Sequence, residues 1–193
     1  MAPSFPIEHD FTFKQLDPNA TPNYQHYVKL TFFFKKRSDI SYEDFHKHWQ
    51  TVHADLAVAS KAFAKYCHRY TQYHMTPECK EKARTYVQGM EFLDFDGCSE
   101  ILVDSFEDGM AFFKSEEYVQ KMNSKPFYIP EILFLRATAS LSFLFEQLDD
   151  ESNWLARPIF IMAGYDNLIF GNRLPVPGTT DGLLLSDLQK STK

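Results

Sequence analysis

Residues 27–36, YVKLTFFFKK, form a β-type run of aromatic and aliphatic residues, and it closes on three cations, Lys35, Lys36 and Arg37. The period then changes. Ser41 stands three residues before Asp44, close to a capping box, and opens a long amphipathic helix over residues 38–66. At about 100° per residue, Phe45, Trp49, Val52, Leu56, Ala59, Ser60 and Phe63 share one stripe. His48 and His53 fall on its two margins and His46 farther out. Residues 65–76, KYCHRYTQYHMT, return to a period of two. His68, Tyr70, Gln72 and His74 occupy one face of that strand, and Cys67, Arg69, Thr71 and Tyr73 the other. So much hydrogen-bonding chemistry on a buried strand predicts the border of a cavity rather than a dry core.

Residues 77–90 read as a charged surface insertion. Residues 90–105, MEFLDFDGCSEILVDS, give a third strand. Leu93, Phe95, Ile101 and Val103 share one face, and Asp94, Asp96, Cys98 and Glu100 the other. Gly97 marks a bulge or a close approach. Ser105 and Ser115 each cap a segment of a broken helix, and residues 141–148, LSFLFEQL, alternate as a fourth strand. The order β-α-β-β-α-β across residues 26–148 predicts an α+β, ferredoxin-like domain, a helix layer on an antiparallel sheet. Residues 1–25, with four prolines, read as an N-terminal arm. Residues 149–193 form an extension whose run PIFIMAGYDNLIFG is too apolar to float free, so it packs on the domain or on a partner. The first and last strands are apolar on both faces. The bare side of the sheet is therefore expected to be covered in a homodimer.

The chain has 193 residues with 20 Lys+Arg against 26 Asp+Glu, a net charge of −6. That sign argues against nucleic acid or an anionic membrane surface as partner. The start lacks a signal-peptide pattern, and no apolar run is long enough to span a bilayer, so a cytoplasmic protein is expected. Cys67, Cys79 and Cys98 form neither a disulfide framework nor a zinc motif. The aromatic share of 16 %, with 19 Phe and 10 Tyr, is what changes the picture, because such a chain can bury a sizeable core and still line a cavity with flat, rigid rings. His48 and His53, five apart, are separated by about 140° on a regular helix, so no shared metal ion is expected. No G-x-G-x-x-G, P-loop or G-x-S-x-G is present, so the chemistry is expected to need no cofactor.

The stretch KLTFFFKKRSDISYEDFHKHWQTVHADL resembles the opening of EthD-domain proteins, where an aromatic strand leads into a "K+RP..S.EEF..HW...HAPL" helix. The resemblance continues through RYTQYH, FDGCSEILVDSFED and SEEY and covers about residues 26–146. It implies a dimeric α+β barrel. The chain is similar to EthD-like lyases of fungal aromatic polyketide pathways, which include decarboxylases of anthraquinone-type acids and dehydratases of hydroxylated pyrones. Two departures stand out: Asp55 replaces the family's proline, and the last strand reads FLRATASLSFLFEQ rather than "F.D...S..F".

By this resemblance His53 takes the place of the histidine in the family's HAP motif, which implies a general acid or base. His74, at the end of the second strand, is expected to pair with it, with Tyr70 or Tyr73 as donor to a substrate oxygen. Trp49, His48, His68, Phe33, Asp96 and Glu100 are the expected substrate contacts. His48 also stands one turn after Asp44 and can pair with it. Asp96 and Glu100 either orient an imidazole or serve a strand or dimer ion pair. The expected function is decarboxylation of an aromatic polyketide acid. Dehydration, cyclisation, cofactor-free oxygenation and simple ligand carriage stand as alternatives.

Overall fold

The structure, a computed structural model, describes residues 9–122, 150–184 and 186–187. They fall into two compact units, residues 28–164 and residues 1–27 with 165–193. In the first unit the strands are β1 (Val28–Lys36), β2 (Cys67–His74), β3 (Gly97–Val103) and β4 (Leu155–Gly164). Their order is β2-β3-β1-β4 and every pair is antiparallel, which makes the unit α+β and ferredoxin-like. The strand expected at residues 141–148 lies outside the described residues. The strand beside β1 comes instead from the apolar stretch read as an extension, with Phe160 opposite Phe33 and Met162 opposite Thr31. Its Ile and Phe residues suit a strand, and Pro158 is tolerated because β4 is an edge among the described residues. The third strand is shorter than expected. It starts only at Gly97, and Leu93 is exposed.

The helices are α1 (Tyr42–His48), α2 (Ala54–Val58), α3 (Lys61–Tyr66), α4 (Pro77–Tyr86), α5 (Phe106–Phe113), α6 (Glu116–Lys121) and α7 (Asp150–Trp154). Ser41 caps α1 by accepting from the amide of Asp44, and Ser105 and Ser115 do the same for α5 and α6. The expected single helix over residues 38–66 is broken. Residues Trp49–His53 form a π-turn between α1 and α2, and Ser60 starts α3 by capping the amide of Phe63.

That π-turn changes which residues are buried. Phe45, Trp49, His53 and Ala57 face inward, four residues apart each time, while Val52 is 46 % exposed. On a helix of 3.6 residues per turn this spacing drifts by about 40° a step, and the wider turn absorbs part of the drift. The regular-helix stripe had placed Val52 inside and His53 at the margin.

The core lies between one sheet face, with Val28, Leu30, Phe32, Phe34, Ile101 and Val103, and the helices that carry Phe45, Trp49, Phe112 and Tyr118. Gly97 is a close approach: a Cβ there would lie 2.5 Å from Phe34 and 2.9 Å from Trp49. Both rings are buried, so neither can swing away. Gly97→Ala is expected to lower stability by about 1–3 kcal/mol through overpacking, read as a lower urea midpoint. An unshifted midpoint would mean that the two rings are free to move.

The charged helix α4 buries none of its residues, as the sequence implied for residues 77–90. In the second unit the two ends of the chain hold each other. Tyr24 bridges Asn167, Asn23 donates to the main-chain oxygens of Leu168 and Asp181, and the Tyr27 hydroxyl donates to Asp166.

Candidate functional site

A π-turn closes its bonds at i→i+5, so residues five apart lie on one side of it. His48 and His53 flank this turn, and both reach the carboxylate of Asp150 at the start of α7. His48 Nε2 is 2.6 Å from Oδ1, and His53 Nδ1 is 2.7 Å from Oδ2. The angle of about 140° between them on a regular helix does not apply here. Trp154 Nε1 adds a third bond to Oδ2 at 3.1 Å.

Asp150 is buried. Burial alone would raise its pKa, but the hydrogen bonds and charges of His53 and His48 outweigh it and hold the carboxyl below its ordinary 3.8. An ionised carboxylate can only accept, so the proton of a neutral His53 sits on Nδ1. Its Nε2, which no described residue bonds, is then a lone-pair base.

His53 lines a cavity with Phe32, Phe34, Phe63, Phe112 and Phe113, and with the polar groups Tyr70, Ser99, Tyr118 and Glu151. Its volume is about 50 Å³. One water needs roughly 10–15 Å³ of such space, so the cavity has room for a few waters. Burial raises the pKa of the Tyr70 phenol, against the opposing hydrogen bonds of Gln72 first and then Ser99 and Trp49, and so keeps it protonated. Tyr118 donates to Glu151 at 2.8 Å, and Arg157 holds the other oxygen of Glu151 at 2.9 Å. Burial first, then the charge of Glu151, push the Tyr118 phenol well above its ordinary 10.

Of the residues expected from the sequence, His53 and Tyr70 meet at this cavity, with His48 on the far side of Asp150. His53 and His74 are not brought together. His74 Nδ1 lies 2.7 Å from His46 Nδ1, and its ring packs on Trp49, whereas His53 packs on Trp154. His48 does not pair with Asp44, which instead accepts from the Ser41 hydroxyl at 2.7 Å. Tyr73 points away from the helices and is exposed. His68 pairs with Asp104 at 2.6 Å, outside the cavity.

Trp49 is wholly buried in the core, and Phe33 stacks with Phe95 on the opposite face of the sheet. Glu100 lies on that same opposite face, 3.8 Å from Lys29. Asp96 is a structural clamp, accepting from the Lys36 amide, the Tyr42 hydroxyl and Lys80 at 3.0, 2.9 and 2.6 Å.

Asp150, Glu151, Tyr118 and Gln72 were not singled out from the sequence. The acidic run Asp149-Asp150-Glu151 just ahead of Trp154 was the available signal. Its partners lie 97 and 102 residues away, beyond the reach of any local pattern.

Residues 37–128 match the model of the EthD domain family. The match starts after β1 and stops short of Asp150. No curated protein matches the sequence. Among solved structures, the chain is similar to a dimeric protein of unknown function and ferredoxin-like fold from Bacteroides fragilis. That likeness has 12 % identity and a TM-score of 0.41, and covers 74 % of this chain and 99 % of the other. It is similar as well to an EthD family protein from Bacillus halodurans, at 14 % identity and a TM-score of 0.41, over 72 % of this chain and 98 % of the other. The likeness to the EthD domain family is thus carried by residues 37–128, which hold His48, His53 and Tyr70.

Proposed function

We propose that the cavity is the active site of a cofactor-independent lyase acting on an aromatic polyketide intermediate, and that its reaction is decarboxylation of a polyketide carboxylic acid. The observation that carries this reading is the His53–Asp150 bond, which leaves one imidazole nitrogen beside an apolar, ring-lined space. The polyketide substrate rests on the resemblance to EthD-like lyases and on the phenylalanines of the wall.

Decarboxylation needs only a proton. His53, charged and held by Asp150, gives its Nε2 proton to the ring carbon that bears the carboxylate. The bond to the carboxyl carbon then breaks, its electron pair returns to the ring, and carbon dioxide leaves. Tyr70 steadies a neighbouring oxygen while charge shifts through the ring.

One observation favours a second reading, dehydration of a β-hydroxy ketone or pyrone. Glu151 places a carboxylate on the wall, and a neutral substrate avoids a second anion beside it. Neutral His53 would then take the α-proton, Tyr70 would hold the enolate oxygen, and the hydroxyl would leave as water with the proton from His53.

The enzyme is proposed to work in the cytoplasm as a homodimer. Among the described residues no helix is long and apolar enough to cross a membrane. The face of the sheet turned from the helices carries Phe33 with the exposed Phe160 and Met162, which supports a covering second copy.

The test is an anaerobic mass-spectrometric assay on a panel of polyketide carboxylic acids and β-hydroxy pyrones. A product lighter by carbon dioxide is the expected result, and one lighter by water supports the second reading. Turnover that requires oxygen, an isomeric cyclised product, or tight binding with no change of mass overturns the lyase.

A further inference from the structure

Gln72 sits on β2 two residues from Tyr70, so both side chains lie on one face of the strand. Its amide nitrogen is 2.8 Å from the main-chain oxygen of Trp49 and 2.8 Å from the Tyr70 hydroxyl. A main-chain oxygen can only accept, so this contact fixes which end of the amide is nitrogen. The amide oxygen then faces His74 Nε2 at 3.1 Å, and that nitrogen must carry a proton. His74 Nδ1 is left to accept from His46 Nδ1 at 2.7 Å. Both rings are pushed by burial towards the neutral form, which keeps this sequence of donors and acceptors in place.

The direction of the chain settles how Tyr70 is used. The second amide proton of Gln72 goes to the phenol oxygen, so that oxygen accepts, and the phenol's own proton points away from Gln72. Tyr70 lines the cavity. An accepted bond also polarises the O–H and makes it a better donor.

We infer that Gln72 is a positioning residue that makes Tyr70 a one-way donor to a carbonyl or phenolic oxygen of the substrate. The inference rests on the proposed proton-transfer reaction. His46 and His74 anchor Gln72 and touch no substrate.

Three measurements on the full chain test it. Gln72→Met is expected to lower kcat by about tenfold with KM little changed, because a donor aimed at developing charge acts in the transition state. The double variant Gln72→Met/Tyr70→Phe is expected to be no slower than Tyr70→Phe alone, since residues acting through one group are not additive. Separately from activity, the Tyr70 phenol, followed by ¹³Cζ-tyrosine NMR and assigned with Tyr70→Phe, is expected to titrate at higher pH in Gln72→Met, which has lost the bond to its oxygen.

Gln72→Glu supplies a second variant. Its carboxylate accepts the Tyr70 proton and draws it from the cavity, so kcat is expected to fall to the Tyr70→Phe value.

Additive losses in the double variant, or a Tyr70 titration unmoved by Gln72→Met, overturn the role of Gln72. A Tyr70→Phe enzyme with full turnover, alongside loss of turnover in His53→Gln, overturns this inference and leaves the lyase standing. The titration decides the hold of Gln72 on Tyr70 even if no substrate of the panel is turned over.

Discussion

His53→Gln is expected to lower turnover by about 10²–10⁴-fold, the range that one well-placed acid–base group contributes, and to leave the protein folded. The size of the loss follows from the ring's two nitrogens. Nδ1 is committed to Asp150 at 2.7 Å, so Nε2 alone is left for the proposed proton transfer. A glutamine amide can still donate to Asp150, and the carboxylate keeps its bonds from His48 and Trp154. Glutamine has no proton to give near neutral pH, so chemistry is lost while the buried carboxylate stays solvated by its neighbours. The check is kcat beside the thermal midpoint. Full turnover in a folded His53→Gln protein would remove His53 from the reaction.

Asp150→Asn strikes both activity and stability. An amide keeps one oxygen and turns the other into a donor, so the side facing His53 and Trp154 or the side facing His48 changes its role, and the negative charge beside His53 is gone. Turnover is expected to fall by about 10²–10⁴-fold, as for other dyads in which an amide replaces the carboxylate that orients a histidine. Asp150→Ala goes further, stranding the buried donors of His53 and Trp154 and the half-buried one of His48, and is expected to cost about 3–5 kcal/mol.

The pH dependence has a definite sign. The folded pKa of Asp150 lies below its ordinary 3.8, so the native state binds this proton less readily than the unfolded chain. Its stabilisation is complete above about pH 4 and is lost as pH falls through the folded value. Urea midpoints at neutral pH and at successively lower pH should therefore converge between wild type and Asp150→Asn. Asp96 is also held below its ordinary value: burial raises it, but bonds from Lys80, Lys36 and Tyr42 prevail. It should supply the acid sensitivity that remains in the variant. A constant gap between the two proteins at every pH would contradict an ionised Asp150.

Much of the sheet was legible because its signals are local. β1 and β2 announce themselves by composition and alternation, and the caps at Ser41, Ser105 and Ser115 act where the sequence places them. Residues 155–164 were read as part of an apolar extension, since nothing local in them shows that they pair with β1.

The site was half legible. His53 and Tyr70 carried motif and alternation signals, but the pairing of His53 was not readable. It depends on a carboxylate 97 residues away and on a local widening of the helix that a 100° wheel cannot show. His74 failed as its partner for a related reason. Strand alternation gives the face on which a ring lies, but not the neighbour that reaches it first, which here is His46.

The π-turn also has a consequence for counting. Its i→i+5 closure sets H-x4-H in this chain equal to H-x3-H on a regular α-helix, because i and i+4 share a face there. Phe45 before the turn, Trp49 at its first position and Ala57 after it keep their own inward register whichever form the turn takes. The exposed residues Gln50, Thr51 and Val52 are thus the part of the helix where one residue could be gained or lost while the same two imidazoles meet the same carboxylate. A gap opened there in an alignment marks a change of chain length with the chemistry conserved, so the histidines of two such chains correspond by turn and not by residue number.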